Sequence, residues 1–194
     1  RASGEATRSV AITRLNQGIE RAIQLMNQLL LLARQESDDP IGPDGTSHHL
    51  PSLIARALAD ALPQAQQAQI DLQSGTLAPV ALRCDEDALL LLLRNLLENA
   101  LKYTPEGGRV SVDLVRSDTA FVHLLVQDSG PGIADPERAS VFEPFYRSPE
   151  AQACGTGLGL AIVKAIAERH HATVRLDTST SLGGLRVDVA FPLI

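Results

Sequence analysis

The spacing of hydrophobic residues predicts a long helix at the start of the chain, followed by a domain that contains both helices and strands. Residues 10–36 carry apolar side chains at helical spacing throughout, with Gln, Asn, Arg and Glu on the other side. The stripe is as wide as that of a bundle helix, and a single helix of this kind is only marginally stable in water. We therefore predict a helix bundle formed between chains; the alternative is a helix that packs back onto the rest of the same chain.

After this segment, some stretches have apolar residues at helical spacing and others have them at every second position. Helical spacing of apolar residues predicts three longer helices and a short one near Glu137. Alternation predicts an antiparallel pair of strands joined at Ser117-Asp118, and shorter apolar runs predict four more strands, with Gly183-Gly184 as the last turn. The predicted helices are 50–69, 85–102 and 158–170, and the predicted strands are 70–72, 79–83, 109–115, 121–127, 173–176 and 185–191. This order predicts an α/β sandwich, in which a mixed sheet is covered by helices on one face.

The boundary between the helix and the domain falls in a segment rich in turn-forming residues. Residues 37–48 contain two Pro, two Gly and three Asp, a composition typical of a linker. We divide the chain into a helical part over residues 1–36, a linker over 37–49 and a globular domain over 50–194.

Composition and charge narrow the classes of protein. The chain has 194 residues, 44% of them hydrophobic, which suits a folded domain with a core of its own. The net charge of -6 argues against a nucleic-acid binder. The longest apolar run, 88–93, is far shorter than the roughly 20 residues that cross a bilayer. Two cysteines suit a reducing compartment, and an N-terminal Arg in place of Met indicates a piece of a longer protein.

The end of the second predicted helix combines leucines with a row of polar side chains. Asn95, Glu98, Asn99 and Lys102 follow each other at helical spacing and are expected to share one face. Amide and carboxylate oxygens bind Mg²⁺, and a lysine ammonium group binds phosphate. The row therefore predicts a site for a metal–phosphate complex, with an ordinary solvated helix face as the alternative.

A glycine-rich segment follows the strand predicted over 121–127. Asp128 stands at the end of this strand, where its carboxylate can accept a hydrogen bond from an exocyclic amine such as that of adenine. Gly130 and Gly132 let the backbone come close to a flat ligand, because glycine has no Cβ. The alternative is a plain Gly-Pro turn between a strand and a helix.

Two further segments complete the set of candidate motifs. Three aromatic residues lie in the polar stretch 142–147, where core packing of a Phe is the alternative interpretation. Gly155, Gly157 and Gly159 precede an apolar helix, so that backbone N–H groups can point at a phosphate. Their spacing is neither the Walker A pattern nor the dinucleotide-binding fingerprint.

In this order, the four segments resemble the N, G1, F and G2 boxes of the bacterial sensor histidine kinases. The matching segments are 95–103, 128–132, 142–147 and 155–160. The resemblance covers residues 50–194 and extends to the ATPase/kinase superfamily shared with gyrase, Hsp90 and MutL, whose fold is the α/β sandwich. Residues 10–36 resemble the second helix of the family's dimerisation and histidine-phosphotransfer domain.

The resemblance implies a binding role for most of the matching residues. Asn99, with Asn95, would hold the Mg²⁺ ion that bridges the phosphates of ATP. Asp128 would bind the adenine amino group, and Gly130 and Gly132 would make room for the base. The remaining residues implied in binding ATP are Lys102, Tyr103, Arg147, Gly157, Leu158 and Gly159.

The catalytic residues that the resemblance implies are Asn95, Glu98 and Lys102. In the related ATPases, the glutamate that activates water stands one helical turn before Glu98, at the place of Asn95. Asn95 therefore favours a kinase over an ATPase. Glu98 would orient the phosphoryl acceptor or pair with Lys102, and a general-base role for it is the minority interpretation.

The implied activity is transfer of the γ-phosphoryl group of ATP to a histidine, and from there to the receiver domain of a response regulator. None of the five histidines stands in an H box, so we expect this fragment to bind ATP without phosphorylating itself. The implied setting is a homodimer formed through the dimerisation helices, at the cytoplasmic face of the bacterial inner membrane. The membrane would be reached only through a part of the parent protein outside this sequence.

Two other functions stay open. One is a binding module with a degenerate nucleotide site that serves only assembly. The other is an ATPase or serine kinase of the same superfamily. The four intact motifs speak against the first, and the predicted dimerisation helix together with Asn95 speaks against the second.

Overall fold

The computed structural model describes residues 46–117, 120–147 and 156–193. The helix predicted over residues 10–36, the linker up to residue 45 and segment 148–155 lie outside the described residues. Cys154 and Gly155 of the fourth motif, residues 118 and 119 of the predicted hairpin turn, and residue 194 lie outside them as well.

Within the described residues, three α-helices form one layer of the domain. They are α1 (Leu50–Gln67), α2 (Glu86–Tyr103) and α3 (Gly159–Arg169). Asp85 caps the start of α2, where its side chain accepts a hydrogen bond from the backbone N–H of Ala88 at 3.1 Å. Acidic residues in the first turn of α2 and Lys102 in the last turn place charges that suit the helix dipole. No helix in the described part of the chain is both long and apolar enough to span a bilayer.

Seven strands in the described part of the chain form two sheets. The strands are β1 (Ser47–His49), β2 (Asp71–Leu77), β3 (Ala81–Arg83), β4 (Arg109–Arg116), β5 (Phe121–Asp128), β6 (Thr173–Thr178) and β7 (Leu185–Pro192). The main sheet has the order β2-β4-β5-β7-β6, with β2 parallel to β4 and every other neighbouring pair antiparallel. β1 and β3 pair with each other in a separate antiparallel sheet.

The helices cover one face of the main sheet. α1 packs on β2, α2 on β5 and α3 on β6, and α2 contacts both other helices. Buried positions alternate with more exposed ones along β4, β5 and β7, as expected for a sheet with one covered face. The core consists of aliphatic side chains from the two layers, such as Leu92, Leu93, Val110, Val112 and Leu114. The predicted α/β sandwich with a mixed sheet is confirmed.

Two strands differ from the predicted ones. Ser47–His49, which the sequence assigns to the linker, form β1 because they pair with Ala81–Arg83. β2 continues to Leu77, past the predicted end at residue 72, through an irregularity in its pairing with β4. There the carboxylate of Asp113 accepts a hydrogen bond from the backbone N–H of Thr76 at 2.8 Å, so that the strand keeps a partner through the bulge.

His170 joins the end of α3 to the start of α2. Its Nδ1 donates to the carbonyl of Ile166 at 2.8 Å, and its Nε2 accepts from the backbone N–H of Asp85 at 3.3 Å. These partners require a neutral ring with the proton on Nδ1. Burial lowers the pKa of His170 below the ordinary value, the hydrogen bond to Ile166 opposes this, and the charge of Arg169 lowers the pKa further.

The lowered pKa of His170 predicts a loss of stability in mild acid. The unfolded chain binds a proton on this ring at a higher pH than the folded chain. The stabilisation by the neutral ring is therefore fully present above about pH 6.5 and is lost as the pH falls through the pKa of the folded state. We expect the free energy of unfolding, measured by denaturant titration, to drop more between about pH 7.5 and about pH 5.5 in the parent than in His170→Gln.

The matched control is His171→Asn, which changes the exposed neighbouring histidine. This variant should keep most of the pH dependence of the parent, because the charge of His171 is the smallest of the effects on the pKa of His170. Equal drops in all three proteins would show that the ring of His170 is not the titrating group.

Candidate functional site

Asp128 is the last residue of β5 and lies on the covered face of the sheet. The alternation that buries Val122, Leu124 and Val126 also buries Asp128, which is 5% exposed. Its Oδ1 accepts two backbone hydrogen bonds, one from Gly130 at 2.8 Å and one from Leu185 at 3.1 Å. Both bonds of the carboxylate to described residues end on the same oxygen, which leaves Oδ2 as the acceptor for a ligand.

The surroundings of this carboxylate change its acidity. Burial raises the pKa of Asp128 above its usual value, because the charged form loses water. The N–H groups of Leu185 and Gly130 oppose the rise, since they stabilise the carboxylate. A buried carboxylate that is fixed by two donors is suited to recognise one amino group of a ligand by a directed hydrogen bond.

The turn between β6 and β7 contacts this carboxylate through Gly184. The backbone N–H of Gly184 donates to the carbonyl of Asp128 at 3.1 Å. A Cβ on Gly184 would collide with the carbonyl and carboxylate of Asp128 and with the backbone N of Gly130. A Cβ on Gly132 would come within 3.7 Å of the same glycine. Gly132 has a φ of 72°, which explains why a glycine stands there. The second motif and the last turn therefore form one continuous wall.

The C-terminal end of α2 packs against the other side of the second motif. A Cβ on Gly130 would lie 2.6 Å from the carbonyl oxygen of Tyr103, so only glycine fits between α2 and Asp128. The side chain of Tyr103 is 38% exposed. Lys102 Nζ lies 3.2 Å from the hydroxyl of Tyr103 and 4.7 Å from the centre of its ring. A cation is thus held at the rim of the site, where an anionic group can reach it.

Asn99 contacts the start of α3. It is half-buried, and a Cβ on Gly159 would lie 2.8 Å from its Nδ2. α3 begins at Gly159, and the preceding Leu158 is buried and packs in the core. The first backbone N–H groups of α3 therefore lie beside an amide side chain of α2, in an arrangement suited to an anion or an ion–phosphate pair.

The other two polar residues of the predicted row, Asn95 and Glu98, differ in their surroundings. Asn95 is 8% exposed, and its Nδ2 donates to the carbonyl of Leu91 at 2.8 Å. Glu98 is exposed and lines a small groove between α1 and α2 together with Arg94. Within the predicted row, Asn99 thus lies toward α3 and Glu98 toward α1. The roles of Asn95 and Glu98 stay predictions.

The aromatic segment closes the site on a third side. The backbone N–H of Phe145 donates to the carbonyl of Gly157 at 2.9 Å, and a Cβ on Gly157 would lie 2.6 Å from the carbonyl of Tyr146. Phe145 has a φ of 66°, unusual for a residue with a side chain, and its ring is 63% exposed. The hydroxyl of Tyr146 donates to Glu137 at 3.2 Å, and Arg147 follows as an exposed residue.

Arg138 anchors the segment between the second and third motifs to β6. This segment contains two 3-10 helices, Asp135–Glu137 and Ser140–Phe142, where the sequence predicts one short helix near Glu137. The guanidinium of Arg138 donates to the carbonyl of Ile133 at 3.3 Å and to the hydroxyl of Thr178 at 3.0 Å, and it lies 3.6 Å from Asp177. Sequence reasoning missed this residue, because its partners on β6 are distant along the chain.

Close backbone contacts at glycines therefore bring the predicted segments together. The second motif contacts the first at Tyr103, the fourth contacts the first at Asn99, and the fourth contacts the third at Tyr146. Two residues of the last turn, Gly184 and Leu185, were missed as site residues. The Gly-Gly pair is visible in the sequence but indicates only a turn.

The family to which these features belong is shown by comparison with known proteins. Residues 84–194 match the family described as histidine kinase-, DNA gyrase B- and HSP90-like ATPases. The chain belongs to this family. The predicted family and fold class are confirmed.

Individual relatives are sensor proteins. The chain is 39% identical to the sensor protein QseC of Salmonella typhimurium over 187 residues, which are 95% of this chain and 40% of that protein. Among solved structures, it is similar to the mycobacterial sensor histidine kinase MprB, with 33% identity, a TM-score of 0.69, and coverage of 76% of this chain and 97% of that one. A full-length ShkA structure in complex with AMPPNP is 25% identical, with a TM-score of 0.74, and covers 94% of this chain and 38% of that one. The chain spans about two fifths of the length of QseC.

The contact at Gly184 predicts different effects for the two neighbouring glycines. Gly184→Ala places a methyl group against Asp128 and should weaken binding of ATP, the ligand that the resemblance implies, by at least about tenfold. Gly183→Ala meets no atom within 4 Å but must keep a φ of 86°, so it should cost about 1–2 kcal/mol of stability and leave affinity unchanged.

Calorimetric titration with ATP and thermal unfolding of both variants separate the two effects. If Gly183→Ala weakened ATP binding as much as Gly184→Ala, the turn would act only through its backbone conformation. The contact with Asp128 would then be irrelevant to the site.

Proposed function

We propose that the chain is the ATP-binding catalytic part of a sensor histidine kinase. The observation that carries this proposal is the carboxylate of Asp128, buried at a strand end, fixed by two backbone N–H groups on Oδ1 and left with Oδ2 as an acceptor. Such a group can accept a hydrogen bond from an amino group in the plane of a flat ring, such as that of adenine. Membership of the ATPase family agrees with this assignment.

The adenine side of the proposed site consists of backbone as well as the carboxylate. Gly130 and Gly132 line it without side chains, and Gly184 closes it from the last turn. A Cβ at Gly130 or Gly184 would displace the groups that hold Asp128. The residues present therefore fit a purine base better than a bulky or irregular ligand.

The phosphate side of the proposed site lies between α2 and α3. Asn99 would hold Mg²⁺ through its amide oxygen, with Asn95 as the second ligand, and Lys102 and Arg147 would contact phosphate oxygens. Gly157, Leu158 and Gly159 form the approach to the first N–H groups of α3. In the described part of the chain, no cluster of three His, Cys, Asp or Glu could hold a metal by itself, so the ion would bind together with the phosphates.

Bound ATP with Mg²⁺ would supply the γ-phosphoryl group in a charge-neutralised form. The chain's own residues would position the ATP molecule and neutralise the charge of its phosphates. Asp128 orients the base, Tyr103 lies at the rim, and Lys102 offsets phosphate charge. Glu98, on the flank of α2 toward α1, would act on the acceptor rather than on the phosphates.

The acceptor and the downstream partner follow from the class of kinase. The phosphoryl group would pass to a histidine of the dimerisation domain, and then to the receiver domain of a response regulator. Residues 10–36 would contribute one of the dimerisation helices, so the kinase would act as a homodimer. The parent protein would sit at the cytoplasmic face of the bacterial inner membrane.

Replacement of the base-recognising carboxylate is the sharpest test of the proposal. In Asp128→Asn, the amide oxygen can still accept from Gly130 and Leu185, so the fold should survive. The amide nitrogen then replaces Oδ2 and faces the adenine amino group as a second donor. We expect ATP affinity to fall about a hundredfold, as measured by calorimetric titration in the presence of Mg²⁺, with little change in the unfolding temperature.

The outcome against the proposal is also defined. A parent chain that does not bind ATP at millimolar concentration would be a degenerate module of the family. A variant that binds ATP as tightly as the parent would place the base elsewhere.

Removal of the metal tests the phosphate side of the site. We expect Mg²⁺ to strengthen ATP binding by the parent and EDTA to abolish this gain, because the phosphates then repel each other without a counter-ion. Asn99→Ala should bind ATP weakly and equally with and without Mg²⁺. Gln66→Ala removes an exposed amide of α1 and serves as the matched control. An Asn99→Ala variant with the full Mg²⁺ effect would remove Asn99 from the metal site.

A further inference from the structure

Ser179 is the most deeply buried of the polar side chains in the described part of the chain. It is 1% exposed and lies directly after β6, in the turn that leads to β7. Neither the ATP-binding residues implied by the family resemblance nor the contacts of the proposed base site include it. A buried hydroxyl group is unfavourable unless its hydrogen bonds are satisfied, so its partners indicate what it holds in place.

The hydroxyl of Ser179 donates one hydrogen bond and accepts another. Its Oγ donates to Oε1 of Gln127 at 2.9 Å and accepts from the backbone N–H of Leu182 at 3.0 Å. Ser181 adds its own hydroxyl, 3.2 Å from that of Ser179 and 3.3 Å from the same oxygen of Gln127. The turn is thereby fastened to β5 at the residue just before Asp128.

The backbone of Ser179 also closes the turn. Its N–H donates to the carbonyl of Gly184 at 2.8 Å, and its carbonyl accepts from the N–H of Gly183 at 2.9 Å. The far end of this turn carries the two N–H groups that bind Asp128, from Gly184 to the carbonyl and from Leu185 to Oδ1. A chain of hydrogen bonds thus leads from the hydroxyl of Ser179 to the carboxylate of Asp128.

We propose that Ser179 is a positioning residue, which together with Gln127 holds the N–H of Leu185 on Oδ1 of Asp128 and so sets the preference of the site for a base with an amino group. The inference rests on the proposed function, because it assumes that Oδ2 of Asp128 meets the adenine amino group. Ser179 does not touch the ligand. Its effect is to fix the direction in which the second oxygen of the carboxylate points.

A purely structural role of Ser179 makes a different prediction. A hydroxyl that only stabilises the turn would, when removed, weaken the binding of every nucleoside triphosphate together. A hydroxyl that orients Asp128 affects only ligands that use this carboxylate. Inosine triphosphate is the suitable comparison, because it has the same phosphates and sugar but carries a keto oxygen in place of the amino group.

The test is titration of the full chain with ATP and with inosine triphosphate, each with Mg²⁺, by calorimetry. The parent is expected to prefer ATP. In Ser179→Ala, we expect ATP affinity to fall about tenfold while the affinity for inosine triphosphate changes by less than about twofold, so that the preference largely disappears. The matched control is Thr180→Ala, which changes the exposed next residue of the same turn and should keep both affinities.

Each other result has a defined meaning. Equal weakening of both ligands in Ser179→Ala, or no weakening of either, overturns the positioning role and leaves the proposed function intact. A parent that binds neither ligand overturns the proposed function and this inference with it. A parent that binds both equally overturns the contact between Asp128 and the adenine amino group, and this inference with it. If Ser179→Ala does not fold, Gln127→Leu removes the acceptor of the same hydrogen bond at a half-buried strand position, and the same loss of preference is required of it.

Discussion

The rest of this domain's site depends on a buried carboxylate that is held by one backbone N–H group of the glycine-rich segment and one of β7. Burial of a charge is unfavourable unless hydrogen bonds replace the lost water, and Asp128 obtains them from Gly130 and Leu185. Both donors must approach the carboxylate closely. This requirement removes the side chains of Gly130 and Gly184, whose Cβ atoms would overlap with backbone. The absence of a side chain at these two positions therefore follows from the position of the buried carboxylate.

Helix α2 packs its leucines into the core and presents its C-terminal polar side chains at the candidate site. Its leucines pack between sheet and helices, and it contacts α1 on one flank and α3 on the other. At its C-terminal end, Asn99, Lys102 and Tyr103 lie beside the starts of other segments. Since the same helix is fixed by core packing over its whole length, these polar groups are positioned by rigid structure rather than by a loop.

The local patterns of the sequence were sufficient for most of the fold and for part of the site. Alternation identifies β4, β5 and β7 because one face of the sheet is covered, and the same alternation carries Asp128 to the covered face. Helix ends were less predictable. α1 and α3 are followed by Gln69 and His171 in the left-handed conformation with φ of 53°, where a glycine would have signalled the end. Backbone hydrogen bonds close both helix ends without a glycine, from Ile70 to the carbonyl of Ala65 and from Ala172 to the carbonyl of Ala167.

Contacts between distant segments could not be inferred from local patterns. β1 forms only because three residues before α1 meet β3. The anchoring of Arg138 on β6 and the burial of Ser179 depend on partners that are far away in the sequence. The position of Asn99 toward α3 and of Glu98 toward α1 depends on where α1 and α3 pack. In each case the sequence shows the type of the residue but not the distant residue that it contacts in the fold.

The separation of Asp128 from its donor has a consequence for the order of folding. The hydrogen bond from Leu185 spans 57 positions of the chain, and β7, which begins at that residue, lies between β5 and β6 in the sheet. During synthesis the N-terminal elements become available first, so the helices α1 and α2 and the hairpin β4–β5 can assemble while β7 is still missing. The carboxylate at the end of β5 obtains the N–H group of Leu185 only when β7 joins the sheet. The proposed base site is therefore complete only after β7 has paired with β5.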